Sequence, residues 1–215
     1  MKQFVVVGLG RFGMSVASSL SENGYNVLAI DKQADRIQDI ADTVTHAVEA
    51  DATDEEALRT LGVRNFDVAV ISIGDNIHAN ILSTLILKEM GVPYVIVKAQ
   101  DTLHGKVLKK VGADRVVYPE RDMGVRIAHN LISSNVLDYI EFAPDYSIVE
   151  VIATSNMIGK SLYELELRSQ FGVNVMAIKR GQHINVTPGA NDKVLEGDTL
   201  VVMGKNKNLN RVKQL

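Results

Sequence analysis

From residue 4 the chain is apolar for four positions, turns glycine-rich, and then repeats the theme. Short β-branched runs at 4–7, 26–30, 46–49, 67–72, 94–97 and 115–117 predict strands, each bounded by Gly, Asp, Asn or Pro. Between them, near 11–23, 33–42, 54–62, 76–91 and 101–112, the apolar spacing is helical. Asp54 looks like a helix cap, and Gly62, Gly91 and Gly112 fall where helices stop, with Pro93 just beyond the second. Strands buried on both faces and joined by helices imply a parallel, doubly wound, Rossmann-like α/β sheet.

The pattern changes after residue 118. Tyr118 precedes Pro119, and the residue before a proline is pushed out of helical conformation. Residues 120–133 then predict a helix with apolar Met123, Val125, Ile127, Ala128 and Leu131. Beyond Asn135 the chain reads as a second, small α+β module. Its strands are expected at 146–153, 173–179, 183–186 and 199–203, its helices near 160–169 and 205–213. The expected organisation is a first domain over 1–118, a helix and linker over 119–139, and a second domain over 140–215.

Composition narrows the function. The chain has 215 residues, 46% hydrophobic and 23% charged, which is ample material for buried cores. The net charge of −3, with basic and acidic residues interspersed, gives no footprint for nucleic acid. There is no cysteine, which removes disulfides and thiolate metal sites and fits a cytoplasmic chain. No run reaches the roughly 20 apolar residues of a membrane span, so direct membrane insertion is not expected. The first residues lead straight into a strand-like run, and no signal peptide is expected.

The chemistry concentrates at Gly8-Leu9-Gly10-Arg11-Phe12-Gly13, directly after the first strand. Gly8 permits the tight turn, Gly10 lets phosphate oxygens approach the backbone, and Gly13 allows the helix to pack on the sheet. The helix N-terminus offers unpaired N–H groups to an anion. Asp31 closes the second strand, where a carboxylate accepts from ribose hydroxyls and repels a 2′-phosphate. Neighbouring strand ends add Lys32, Asp51, Ala52, Thr53, Ile73, Gly74 and Lys98 as candidate ligand contacts. Asp51 reads equally as the start of a turn into a helix. Arg11 either reaches a terminal phosphate or sits solvated on the helix; the first reading suits ADP or ATP at least as well as NAD. The five histidines, His46, His78, His104, His129 and His183, have no metal-ligand spacing, and no catalytic motif is present.

Gly8–Gly13, Asp31, Asp51-Ala52-Thr53, Val97-Lys98-Ala99, His104-Gly105-Lys106-Val107-Leu108, Gly112-Ala113-Asp114 and Pro119-Glu120 together resemble the regulator-of-potassium-conductance (RCK, or KTN) family. The nearest type is the soluble gating subunit of Ktr potassium uptake systems. The resemblance covers the whole chain, the second module being similar to the family's RCK-C (TrkA-C) domain and the first to its RCK-N (TrkA-N) domain. It implies homodimers assembled into an octameric ring beneath a membrane potassium-translocating subunit, at the inner face of the cell membrane. ATP or ADP would act there as regulatory ligands, with Arg11 on the terminal phosphate and Asp31 on the ribose. Glu120 would lie near the dimer interface, where relatives place Mg2+, Ca2+ or Na+, and the helix at 120–133 would be the family's crossover helix. Arg168, Asn174, Ile178 and Pro188 match the positions of a cyclic di-AMP site in several relatives. The alternatives are a small NAD(H)-binding oxidoreductase or NAD-sensing regulator, and a redox-type transcriptional regulator. The first lacks a visible acid–base group, the second a helix-turn-helix.

Overall fold

The computed structural model describes residues 2–132, 136–143 and 145–212 and divides the chain into two units that meet at Pro119 and Glu120. In the first unit β1 (Gln3–Val7), β2 (Asn26–Asp31), β3 (His46–Glu49), β4 (Val68–Ile71), β5 (Tyr94–Lys98) and β6 (Arg115–Val117) form one sheet in the order β3-β2-β1-β4-β5-β6. Every pairing is parallel. Parallel strands need crossovers, supplied by α1 (Arg11–Glu22), α2 (Ala34–Ile40), α3 (Glu55–Thr60), α4 (Ile77–Glu89) and α5 (Thr102–Val111).

The unbroken apolar runs have a direct structural cause. Val5, Val7, Leu28, Ile30, Ala69 and Ile71 point into one core, while Val6, Val27, Ala29, Val68 and Val70 point into the other. Leu58, Leu87 and Leu108 seal the first core from the helices, fully buried. Each such side chain contributes roughly 1.5–3 kcal/mol by leaving water. The strand order reverses between β1 and β4, and open α/β sheets bind ligands at such a switch point.

The helix expected over 54–62 is shorter, because Asp54 caps it by accepting from Glu56 and Ala57 N–H and left-handed Gly62 ends it. A 3-10 turn, Val63–Asn65, follows. Across the boundary runs α6 (Pro119–Ile132). Its residues from Glu120 to Ala128 are all exposed, Met123, Val125 and Ile127 by half and Leu131 by 80%. The expected helix end at 133 and the change of module at Asn135 lie outside the described residues.

The second unit is an antiparallel sheet of β7 (Val136–Ala143), β8 (Tyr146–Ile152), β9 (Asn174–Arg180), β10 (His183–Asn185) and β11 (Thr199–Lys205), ordered β10-β9-β11-β8-β7. Val149, Val151, Leu200 and Val202 pack from one face on α7 (Leu162–Leu165), α8 (Leu167–Phe171) and α9 (Asn206–Val212), through Leu165, Leu167 and Leu209. Two elements differ from expectation. β7 runs from residues assigned to the linker (136–139) into the second domain (140–143), where no strand is expected; its pairing with β8 shifts register twice, so the sequence shows no clean alternation. The single helix expected over 160–169 is two, because Glu166 adopts a left-handed conformation at φ 45° between them.

Candidate functional site

The glycine loop leaves β1 at Gly8, whose N–H donates to the Ile30 carbonyl at 2.8 Å. Gly8 has φ +87°, and a Cβ there would lie 2.9 Å from the Ile73 nitrogen, so only glycine makes this turn against β4. A Cβ on Gly13 would collide with the Gly8 carbonyl oxygen. Gly10 is different. Its backbone is extended, at φ −66° and ψ −179°, and a Cβ would meet nothing within 4 Å. The fold itself therefore requires glycine at 8 and 13 but not at 10, the position where a ligand's phosphate would approach the backbone. Gly10 caps α1 without a side-chain hydrogen bond and no acidic residue lies in the first turn. The helix's N-terminal partial positive charge is thus left for an anion. Arg11, first in α1, is exposed, and Phe12 is half-buried against the sheet.

Asp31 is buried at the end of β2. Its Oδ2 accepts from the Leu9 N–H at 2.6 Å and from Arg36 Nη1 at 3.2 Å, and its Oδ1 accepts from the Gln33 N–H at 2.9 Å. The carboxylate thus pins the loop to the strand that carries it. Lys32 beside it is exposed. Asp51 makes a turn ahead of α3, with Oδ1 accepting from Thr53 N–H at 2.8 Å and Thr53 Oγ1 at 2.7 Å. The Thr53 hydroxyl, then its N–H, and the charge of Lys32 hold the Asp51 carboxyl below its ordinary value against the opposing effect of burial. Ala52 is buried in the core.

Ile73 and Gly74 follow β4. The Gln100 amide donates to the Gly74 carbonyl, and Lys98 Nζ comes within 3.9 Å of where a Gly74 Cβ would be. Asn80, fully buried on α4, donates through Nδ2 to the carbonyls of Ile73 at 2.7 Å and Lys98 at 3.2 Å, tying two strand ends together. The sequence reading missed Asn80, Gln100 and Arg36. Asn80 left one signal, a polar residue inside the apolar stretch of α4; Arg36 left none.

Glu120 is exposed in the first turn of α6 and belongs to the second unit. There, Arg168 on α8 and Asn174 at the start of β9 are exposed. Pro188 is half-buried, and Ile178 is buried opposite Leu200. His46, His78 and His183 are exposed, and the side chain of His129 lies outside the described residues. His104 is buried; burial lowers its pKa below 6.5, against the opposing charge of Asp101. Among the described residues no group of three His, Cys, Asp or Glu side chains is placed to hold a metal ion, and no helix is long and apolar enough to cross a membrane.

Two domain families match: the TrkA-N domain over residues 4–119 and the TrkA-C domain over 146–215. Ktr system potassium uptake protein C of Bacillus subtilis is 49% identical over 98% of this chain and 95% of its own length. Ktr system potassium uptake protein A of Vibrio alginolyticus is 40% identical over 100% of this chain and 98% of its own. Among solved structures, a GsuK channel bound to NAD aligns with TM-score 0.55 at 22% identity, over 100% of this chain and 38% of that one. GsuK bound to ADP aligns at 0.52 and 24% identity, over 62% of this chain and 34% of that one. At these identities, and with this chain matching well under half of each GsuK chain, the likeness is one of fold. The full-length identities and the two domain matches make this chain a member of the TrkA-N/TrkA-C family to which the Ktr system potassium uptake proteins belong.

Proposed function

We propose that the protein is a non-catalytic regulatory subunit of a Ktr-type potassium uptake system, which binds ATP or ADP in its first unit and gates a membrane potassium-translocating subunit. The observation that carries this reading is the 49% identity to a Ktr potassium uptake protein over nearly the whole of both chains. The loop geometry agrees, since the space a Cβ would take at Gly10 is open and lies at a helix N-terminus. Residues 1–118 form the nucleotide domain, 119–139 the crossover helix and linker, and 140–215 the second domain. Phosphates lie over Gly8, Gly10 and Gly13, the ribose meets Asp31, and Arg11 takes the terminal phosphate. Ile73 and Gly74 face the adenine, with Lys98 nearby.

The exposed apolar residues of α6 are buried in a homodimer, and dimers form an octameric ring docked at the cytoplasmic face of the membrane. Glu120 carries a Mg2+, Ca2+ or Na+ ion at that interface, and Arg168, Asn174, Ile178 and Pro188 belong to a cyclic di-AMP site. A ligand moves such a ring only by binding one of its states better than the other. One phosphate more or less at Arg11 supplies that difference.

Melting the full chain with ATP, ADP, NAD, NADH and cyclic di-AMP tests the reading. A ligand at a hundredfold excess over its Kd adds about 2.7 kcal/mol. ATP and ADP are expected to raise the melting temperature, and Arg11→Ala to lose the preference for ATP over ADP while keeping adenosine binding. Strong stabilisation by NADH with none by either adenine nucleotide overturns the assignment in favour of an NAD(H)-binding regulator or oxidoreductase.

A further inference from the structure

A carboxylate offers about four lone-pair positions, two on each oxygen. In Asp31 the Leu9 N–H and Arg36 Nη1 take both on Oδ2, and the Gln33 N–H takes one on Oδ1. A ribose that presents its 2′ and 3′ hydroxyls as two donors therefore meets one uncommitted lone pair. One of the three present donors has to leave before the diol can bind in full. Two of them are backbone amides, Leu9 held inside the glycine loop and Gln33 in the turn leading to α2. The third is a side chain, 35% exposed, with the longest of the three bonds and water at hand to solvate it.

We propose that Arg36 is a specificity-determining residue, which holds the second ribose position on Asp31 in the unliganded chain and is exchanged for the 2′-hydroxyl when a ribonucleotide binds. The proposal rests on the nucleotide reading of the site given above. Gaining the 2′-hydroxyl bond then always means losing the Arg36–Asp31 pair, so the two contributions offset one another. A 2′-deoxyribonucleotide, bound through its 3′-hydroxyl on the uncommitted lone pair, leaves Arg36 in place. The chain as it stands therefore discriminates weakly between ribose and deoxyribose, although Asp31 itself is well suited to do so. Arg36 tunes affinity downward, which suits a site that must release its nucleotide as well as bind it.

Calorimetric titration of the full chain with ATP and 2′-deoxy-ATP measures this as a ratio of affinities. Arg36→Gln is expected to bind ATP more tightly and to raise the ATP to 2′-deoxy-ATP ratio at least threefold over the unsubstituted chain. Arg36→Lys, which keeps the charge without the planar fork, is expected to fall between the two. Asp31→Asn is expected to flatten the ratio whichever residue stands at 36. A purely structural Arg36 would move both affinities together and leave the ratio where it was. An unchanged ratio in Arg36→Gln, or ATP binding weakened tenfold as for a direct ligand contact, overturns the exchange while leaving the nucleotide site standing. Should Arg36→Gln not melt cooperatively, the ratio in Arg36→Lys decides in the same way. If the unsubstituted chain binds none of ATP, ADP and NAD, the site reading falls and the exchange with it.

Discussion

The two units differ in how completely their buried polar groups are paired. In the second, Asp198 is fully buried and accepts from Arg180 Nε at 2.7 Å, Arg180 Nη2 at 2.8 Å and the Leu195 N–H at 2.8 Å. Half-buried Asp192 accepts from Asn185 and Gly189, and buried Ser161 closes a capping box with exposed Glu164. In the first unit Asn80 Oδ1, Ser83 Oγ and His104 Nε2 are buried with no hydrogen-bond partner. Each buried, unsatisfied group costs about 1–3 kcal/mol. Among the described residues only Thr154 Oγ1 is in that position in the second unit. The second unit's polar groups serve its own stability, while in the first Asn80 keeps an uncommitted oxygen beside the ends of β4 and β5, where ligands bind such sheets.

The sharpest way to break this comparison uses two glycines three residues apart. Gly13→Ala drives a Cβ into the Gly8 carbonyl and is expected to destabilise the chain by about 3 kcal/mol, as overpacking of a tight contact does. Gly10→Ala meets nothing within 4 Å and is expected to leave the melting temperature in place. Its ATP affinity is nonetheless expected to fall by about tenfold, or roughly 1.4 kcal/mol, because the methyl group stands where phosphate approaches. Melting curves and titration of both variants separate the two effects. Equal destabilisation at both positions would make the loop structural throughout and remove the contrast.

The second unit's closed network makes a prediction about acid. Arg180 hydrogen bonds, opposed by burial and aided by the Leu195 N–H, hold the Asp198 carboxyl below its ordinary 3.8. A carboxyl whose folded pKa is depressed adds stability above its unfolded pKa, and that stability is lost as pH falls through the folded value. Melts between pH 7 and pH 3 are therefore expected to show the loss beginning near pH 4. Asp198→Asn is expected to melt several degrees lower at pH 7 and to lose less on acidification. A variant as acid-sensitive as the parent would show that the pair is not what holds the unit together.

How much of this was legible in the sequence follows from the same physics. Strands buried on both faces announce themselves as apolar runs, and Gly8, Gly13 and Asp31 stand at spacings set by one turn, the helix α1 and the strand β2. β7 was not legible, because two register shifts against β8 erase the alternation that marks a half-buried strand. Glu166 could not be foreseen as a helix break, since nothing about glutamate signals a left-handed conformation. At the site, Arg36 and Asn80 act through contacts made only after folding: an Asp31 carboxylate oxygen shared with Leu9, and two carbonyls 7 and 18 residues away. Asp51 shows the converse, a motif residue whose carboxylate is engaged by Thr53 two positions on.

The smallest expected effect tests whether the first unit's uncommitted groups carry a cost. His104 accepts from the Gln100 N–H on Nδ1 at 3.3 Å, so its proton sits on Nε2, which is buried and has no partner. Burial, opposed by the Asp101 charge, lowers the folded pKa below 6.5, so below that pH the unfolded chain binds the extra proton more readily than the folded one. Stability should then fall as pH drops from 6.5 toward the folded value, with a slope below about 1.4 kcal/mol per pH unit, the limit for one proton. His104→Gln keeps an acceptor for Gln100 and does not titrate. Between pH 7 and 5 its melting temperature should change less than the parent's, and at pH 5 it should match or exceed it. Parallel profiles would mean that His104 stays neutral, or finds a partner, in both states, and the contrast between the units would then rest on Asn80 and Ser83 alone.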